Sequence, residues 1–203
     1  MQLSDKIRNV LASEYWYHAT TMENYYNILA NGVIASHNLQ HELDFGAGFY
    51  LCQTADAAER YIARLSYPDD VQCVIMRFRF VPLIWFDDDS YNTAVFAAYN
   101  DEFAEFVFKN RLNPASLQHK YDAIYGVMSD SFPTMLLAEY RTGELTRDAV
   151  IEGLKKSTSA KQLSLHNQLL CDRISLCSSY LYDYHSNTRE ELNIHERENA
   201  AVC

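Results

Sequence analysis

The chain has 203 residues, 48% hydrophobic and 22% charged, which suits a compact domain with its own core and argues against wholesale disorder. Seventeen basic residues against 27 acidic ones leave a net charge of −10, a surface that repels phosphate backbones at long range and disfavours non-specific nucleic-acid binding. The five cysteines (Cys52, Cys73, Cys171, Cys177, Cys203) form no C-x-x-C pair, so neither a zinc site nor a disulfide framework is expected, and a reducing cytoplasm fits best.

The N-terminus opens an amphipathic pattern rather than an apolar signal core, and residues 2–13 read as a short helix. Tyr15, Trp16 and Tyr17 read as a strand running into His18. The stretch from Thr20 to Glu23 has capping-box spacing, in which Thr20 and Glu23 satisfy each other's backbone amides. That predicts a helix to about Asn31, closed by Gly32 as a left-handed cap. Residues 35–47 are polar and glycine-bearing and read as a loop, and 48–52 as a short strand. From Thr54 the period changes: Ala58, Tyr61, Ile62 and Leu65 fall on one helix face. Residues 71–80, rich in β-branched and aromatic side chains, read as a central strand. The most apolar stretch, 74–86, is interrupted by Arg77, Arg79 and Pro82, so no span of a bilayer is expected.

Further on, 101–111 is helical, 123–127 a short strand, 134–140 and 146–156 helices around Gly143, and 162–165 a last core strand. Beyond about Cys177 the chain turns polar, which predicts a tail or exposed helix over 177–203. Helices between strands would ordinarily suggest a parallel doubly wound sheet. No G-x-G-x-x-G follows any strand, however, so the fold class expected is α+β.

Four segments carry the chemistry. Tyr17-His18-Ala19-Thr20 is followed by Ile28-Leu29-Ala30-Asn31-Gly32, then by Asp44-Phe45-Gly46-Ala47-Gly48-Phe49-Tyr50-Leu51, then by the helix containing Ala57-Ala58-Glu59-Arg60-Tyr61. In this order they resemble the catalytic domain of poly(ADP-ribose) polymerases, within the ADP-ribosyltransferase superfamily, whose pattern is H-G-T, I-L-x-x-G-L, F-G-x-G-x-Y-F and a helix ending S-A-x-Y. The two motif tyrosines are eleven residues apart there, as Tyr50 and Tyr61 are here. The chain is also similar to a bacterial branch carrying Y-H-G, D-F-G-x-G-F-Y-L, D-x-x-x-G-x-x-x-D and a final Q-x-x-x-H strand. The last two match the segments Asp122 to Asp130 and Gln162 to His166.

The resemblance implies a split mixed β-sheet core with flanking helices over residues 1–176, followed by the 177–203 tail. It implies NAD as co-substrate with no metal. Tyr50 and Tyr61 would sandwich the cationic nicotinamide, at about 0.5–2 kcal/mol of cation–π attraction per ring. His18 would hydrogen-bond a ribose hydroxyl, and the backbone of Ala19, next to Thr20, would read the carboxamide. The loop of Asp44, Phe45, Gly46 and Gly48 would let the backbone approach the ligand closely. The activity implied is cleavage of the nicotinamide–ribose bond and transfer of ADP-ribose to a macromolecule, protein or nucleic acid. The setting is that of a bacterial or phage toxin or defence enzyme, with an antitoxin or inhibitor protein as a further partner and no membrane.

Three departures stand out. Ala19 replaces a glycine and Ala58 a serine. Gln162 occupies the position of the glutamate that, in the family, binds the ribose 2′-hydroxyl and stabilises the oxocarbenium ion. Gln162 thus argues against chain elongation, and Gln162→Glu is expected to retain or raise NAD cleavage. Asp130 or Glu139 are candidates for the missing negative charge, and Arg111 and Lys109 are either pyrophosphate contacts or solvated charges. The other readings are an NAD- or ADP-ribose-binding pseudoenzyme, weak NAD hydrolysis, or an interaction module of the same fold. The Tyr50–Tyr61 spacing yields the first test: by calorimetry, Tyr61→Ala weakens NAD binding at least several-fold, and an unchanged affinity removes the stacking role.

Overall fold

The computed structural model of the chain describes residues 3–129, 133–156 and 160–192. They form a mixed α+β fold with two four-stranded sheets and flanking helices. The chain divides into two compact units and passes between them at 32/33, 50/51, 84/85 and 172/173. The first unit holds residues 3–32, 51–84 and 173–192 of the described chain, the second 33–50 and 85–172.

In the first unit, α1 (Asp5–Leu11) leads into β1 (Tyr15–Thr21). Side chains alternate along a strand, so β1 buries Trp16 and Thr20 on one face with His18 between them. Tyr17 and Ala19 turn to the other face, where Cys52, Ala58, Ile62, Cys73 and Ile75 gather. Expected to end at His18, the strand instead continues to Thr21, paired residue for residue with β3 (Cys73–Arg79) as far as Thr21↔Cys73. Thr20 is thereby buried in the sheet and cannot cap. Thr21 is the N-cap of α2 (Met22–Asn31), its hydroxyl accepting from the Asn24 N–H. Gly32 closes α2 with φ +74° and ψ −176°, a positive-φ turn but not the left-handed helical cap expected. α3 (Ala55–Leu65) is capped by Thr54; of the predicted face it buries Ala58 and Ile62, while Tyr61 is half-buried and Leu65, in the last turn, is exposed.

The polar stretch expected as a tail or helix from 177 is instead β-structure through Leu192. β7 (Ser175–Asp183) and β8 (Thr188–Leu192) complete an antiparallel sheet in the order β1-β3-β7-β8. Its cause lies on α3. Glu59 is only 4% exposed and accepts two hydrogen bonds at 2.7 Å from the guanidinium of Arg189 on β8, plus one at 2.6 Å from the Tyr180 hydroxyl on β7. A buried carboxylate that gathers donors from both strands secures a hairpin whose second strand, β8, is too polar to announce itself.

The second unit is built on a sheet of order β2-β6-β5-β4, with β2 (Phe49–Leu51), β4 (Thr93–Phe96), β5 (Ala123–Val127) and β6 (Lys161–Leu165). β4 runs parallel to β5, and β5 antiparallel to β6. Five helices belong here: α4 (Leu83–Asp87), which carries the chain in from the first unit, α5 (Asp101–Leu112), α6 (Pro133–Thr142), α7 (Arg147–Leu154) and α8 (Gln168–Cys171). Phe45, Phe96, Phe103, Val107, Ile124, Leu137, Val150 and Leu154 make its core. Among the described residues no helix is long and apolar enough to cross a membrane.

The Glu59 cluster is testable by pH. Arg189, ahead of Tyr180, holds the Glu59 carboxyl below its ordinary value. The stabilisation is therefore full above the unfolded-state value of about 4.3 and is lost as pH falls through the lower folded-state value. Glu59→Gln lowers stability near neutrality by about 2 kcal/mol, the scale of charge-assisted hydrogen bonds. Denaturant unfolding will show this gap closing below about pH 4; a gap that persists there would mean the charge is not what holds the hairpin.

Candidate functional site

The 44–48 loop has no hydrophobic period and turns at Gly46, where φ is +75°. It is nonetheless rigidly held, beginning with its first side chain. Asp44 is 4% exposed. Its Oδ1 accepts from Arg111 through Nε at 2.8 Å and Nη2 at 2.7 Å, and from the hydroxyl of Ser129. Its Oδ2 accepts from the Ser129 backbone N–H at 2.8 Å and from the Gln162 Nε2 at 3.1 Å. Arg111 also donates at 2.6 Å to the carbonyl of Glu42, securing the approach to the loop.

The loop's backbone is pinned by side chains. The Tyr50 hydroxyl donates to the Gly46 carbonyl at 2.7 Å and accepts from the Phe45 N–H at 3.1 Å. Asn38 embraces Gly48, donating to its carbonyl at 2.8 Å and accepting from its N–H at 2.9 Å. Two histidines hold the intervening carbonyls. His119 Nε2 lies 2.7 Å from the Phe45 oxygen, while its Nδ1 accepts from the Tyr121 N–H. His166 Nδ1 lies 2.6 Å from the Ala47 oxygen, and its Nε2 is 2.9 Å from the Ser164 hydroxyl. A carbonyl can only accept, so each ring carries its proton on the nitrogen facing the loop and stays neutral at the other. Burial, then the neighbouring His119, push the His166 imidazole down to about 3, against the opposing pull of Ala47. Burial likewise lowers His119. The two rings meet edge to face at 4.6 Å.

β6 supplies the wall behind the loop. Period-two alternation sends Leu163 and Leu165 one way and Gln162, Ser164 and His166 the other, so the final Q-x-x-x-H motif is a polar row whose ends grip Asp44 and Ala47. The segment from Asp122 does complementary work. The carboxylate of Asp122 accepts from the Asn92 N–H and the Asn167 amide, both at 2.7 Å, and Ser129 reaches Asp44. A Cβ on Gly126 would lie 2.9 Å from the Phe45 ring, which explains the glycine between them.

Of the residues expected at the site, Asp44, Phe45, Gly46, Gly48, Tyr50 and Gln162 belong to one network in the second unit. His18, Ala19, Thr20 and Tyr61 belong to the first unit. There His18 shares the strand face of Trp16 and Thr20, Ala19 packs with the cluster around Ala58 and Ile62, and Tyr61 is half-buried on α3. Asp130 lies outside the described residues.

Three expectations are corrected. The room left by the loop glycines is occupied by protein: a Cβ on Gly48 would lie 2.6 Å from His166 and 3.0 Å from the Leu165 carbonyl, and one on Gly46 would lie 2.9 Å from Leu117. Arg111 is neither solvated nor free for a pyrophosphate, because its guanidinium is spent on Asp44 and Glu42; Lys109 is exposed. Gln162 is 5% exposed, and the carboxylate its side chain bonds is Asp44, not Glu139. Ser129, His119 and Asn38 were not singled out. Only Ser129 had a signal, its place inside the segment from Asp122 to Asp130.

A family model described as "Protein of unknown function (DUF3990)" matches residues 17–176. The chain belongs to this family. The match begins in β1, ends at the start of β7, and contains His18, Asp44, Tyr50, Tyr61, Arg111, Ser129, Gln162 and His166, so every residue named above as site or support lies within the DUF3990 region. No curated protein matches the chain.

The neutral histidines of this DUF3990 site set a pH window. Both are free to charge in the unfolded chain below about 6.5, but resist charging in the native one. Stability is therefore full above pH 6.5 and is lost as pH falls toward 3. His166→Asn, which keeps a donor for Ala47 and does not titrate, flattens the loss between pH 6.5 and 4.5 in denaturant unfolding. An unchanged slope would show that His166 protonates freely in the native protein.

Proposed function

We propose that the protein binds NAD and acts as a mono-ADP-ribosyltransferase, with the split-sheet fold of that superfamily. The cofactor is consumed: the nicotinamide–ribose bond breaks, nicotinamide leaves, and the ribose carbon C1′ bonds to an acceptor nucleophile, whose proton is released. The observation that carries this reading is the Asp44–Gln162–Ser129–Arg111 network beneath the pinned 44–48 loop and Tyr50. It joins three of the motifs on which the resemblance rests. The segments D-F-G-x-G-F-Y-L, D-x-x-x-G-x-x-x-D and Q-x-x-x-H lie far apart in sequence and meet around one carboxylate.

A site for cleaving NAD must hold the ribose and nicotinamide in one pose and stabilise positive charge at C1′. Tyr50, fixed through its hydroxyl at two backbone atoms, presents its ring without rotational freedom to lose. Gln162 is a neutral hydrogen-bonding group fixed at one end by Asp44. The roles of His18 on the ribose, Ala19 on the carboxamide and Tyr61 on the nicotinamide rest on the order and spacing of their motifs. A neutral residue at 162 suits transfer of single units rather than elongation. The acceptor is a macromolecule, and the net charge of −10 favours protein over nucleic acid.

One observation favours a second reading, an NAD- or ADP-ribose-binding module without turnover: the charge of Asp44 is met directly by Arg111, leaving less negative potential for a cation. A single experiment separates the two. Protein, labelled NAD and whole lysate are incubated, and the product is digested with nuclease or protease. Single-unit labelling removed by protease is the expected result. Gln162→Ala lowers transfer about 10²-fold or more with NAD affinity nearly unchanged, as for a contact made mainly in the transition state. Binding of NAD without consumption or labelling would establish the module instead.

A further inference from the structure

We propose that Asp44 carries the site's negative charge in place of residue 162, gripping the Gln162 carboxamide by its nitrogen so that its oxygen is left to accept a sugar hydroxyl, and that this grip excludes a carboxylate from position 162. The sugar hydroxyl rests on the NAD reading; the coupling between the two side chains does not.

The orientation of Gln162 follows from chemistry. A carboxamide has one donating and one accepting end. Asp44, ionised against Arg111 at 2.7 Å, can only accept, so the group 3.1 Å from its Oδ2 must be the amide nitrogen. The remaining partners of Asp44 are donors too: the Ser129 backbone N–H on the same oxygen, and the Ser129 hydroxyl with both Arg111 nitrogens on the other. Five donors around one carboxylate leave no place for a second anion. The strand neighbour of Gln162 across β5 is Gly126, which brings no side chain to compete for the amide. The oxygen of Gln162 is therefore a fixed acceptor, the part a ribose hydroxyl needs.

Replacing the amide nitrogen by a carboxylate oxygen places two anions about 3 Å apart, where both cannot ionise and one must hold its proton at an elevated value. The outcome proposed for this variant is opposite to the one the resemblance implies. Gln162→Glu does not restore a charged stabiliser but sets it against Asp44. In that variant the shared proton is bound more tightly in the native than in the unfolded chain. Its stability is therefore fully present below the unfolded carboxyl value and is lost as pH rises through the raised native one.

The test compares wild type, Gln162→Glu, and the double variant Asp44→Asn/Gln162→Glu, which returns one carboxylate and one carboxamide to the pair with their positions exchanged. Unfolding equilibria at pH 5 and pH 8 are read first, then NAD consumption with purified protein. Relative to wild type, the unfolding constant of Gln162→Glu rises at least tenfold between pH 5 and 8, and this excess disappears in the double variant. Consumption of NAD falls at least tenfold in Gln162→Glu and recovers in part in the double variant. If Gln162→Glu fails to fold at pH 8, folding regained at pH 5, where the shared proton is bound, supports the coupling, and equal failure at both overturns it. A pH profile of Gln162→Glu matching wild type overturns the coupling outright. NAD consumption by Gln162→Glu at the wild-type rate or above overturns the positioning of the amide. Wild type that consumes no NAD, with the pH behaviour as expected, overturns the NAD reading and leaves the Asp44–Gln162 coupling standing.

Discussion

A carboxylate taken out of water must find its compensation inside the protein, and Asp44 finds it in a guanidinium, a hydroxyl, a backbone amide and a side-chain amide. Those donors come from α5, from the end of β5 and from β6, and the acceptor opens the loop into β2. The second unit thus converges on one charge. Removing any donor leaves part of that charge unsatisfied, and removing Asp44 strands a nearly buried arginine, at a cost of the order of 3–5 kcal/mol. The loop geometry, the lie of Gln162 and the burial of Arg111 all follow from meeting this single demand.

The same economy explains why the neighbouring titratable groups are neutral. A site holding one ion pair in a dry interior tolerates little more charge, so the Phe45 and Ala47 carbonyls are held by imidazoles that burial keeps neutral. Glycines at 46 and 48 belong to this arrangement: one supplies a positive φ, the other admits the His166 ring against the backbone. The conformation of the loop is therefore fixed by the side chains that hold its carbonyls.

Where side-chain period mirrors burial, the sequence was legible. Ala58 and Ile62 marked α3, the run from 123 to 127 marked β5, and 101–111 marked α5 almost to its ends. Legibility failed where an element is defined by a distant partner. β8, with the sequence Thr-Arg-Glu-Glu-Leu, has no apolar face, and its place in the sheet depends on Arg189 reaching Glu59, 130 residues away. Thr20 was read as a cap because its local spacing permits one, but pairing with β3 carries the strand one residue further and hands the role to Thr21. At the site, motif order led to the 44–48 loop, Tyr50 and Gln162. It could not reveal that Arg111 is consumed internally, since a salt bridge across 67 residues leaves no local trace.

The two carboxylates buried among the described residues show how one solution to a physical problem can serve different ends. Glu59 and Asp44 each recruit an arginine from far along the chain, and each adds a hydroxyl donor. Glu59 is satisfied by Tyr180 and Arg189, so its bonds join β7 and β8 to α3. Asp44 has one partner of another kind: a carboxamide whose second end the carboxylate does not use. A donor bound to a buried anion transmits that anion's influence to its own far atom, because polarising the N–H raises electron density on the attached carbonyl. Gln162 can thereby act as a more basic acceptor than a solvated glutamine while carrying no charge. A neutral residue in this position need not mark a disabled site; its electrostatics depend on the partner it is bonded to.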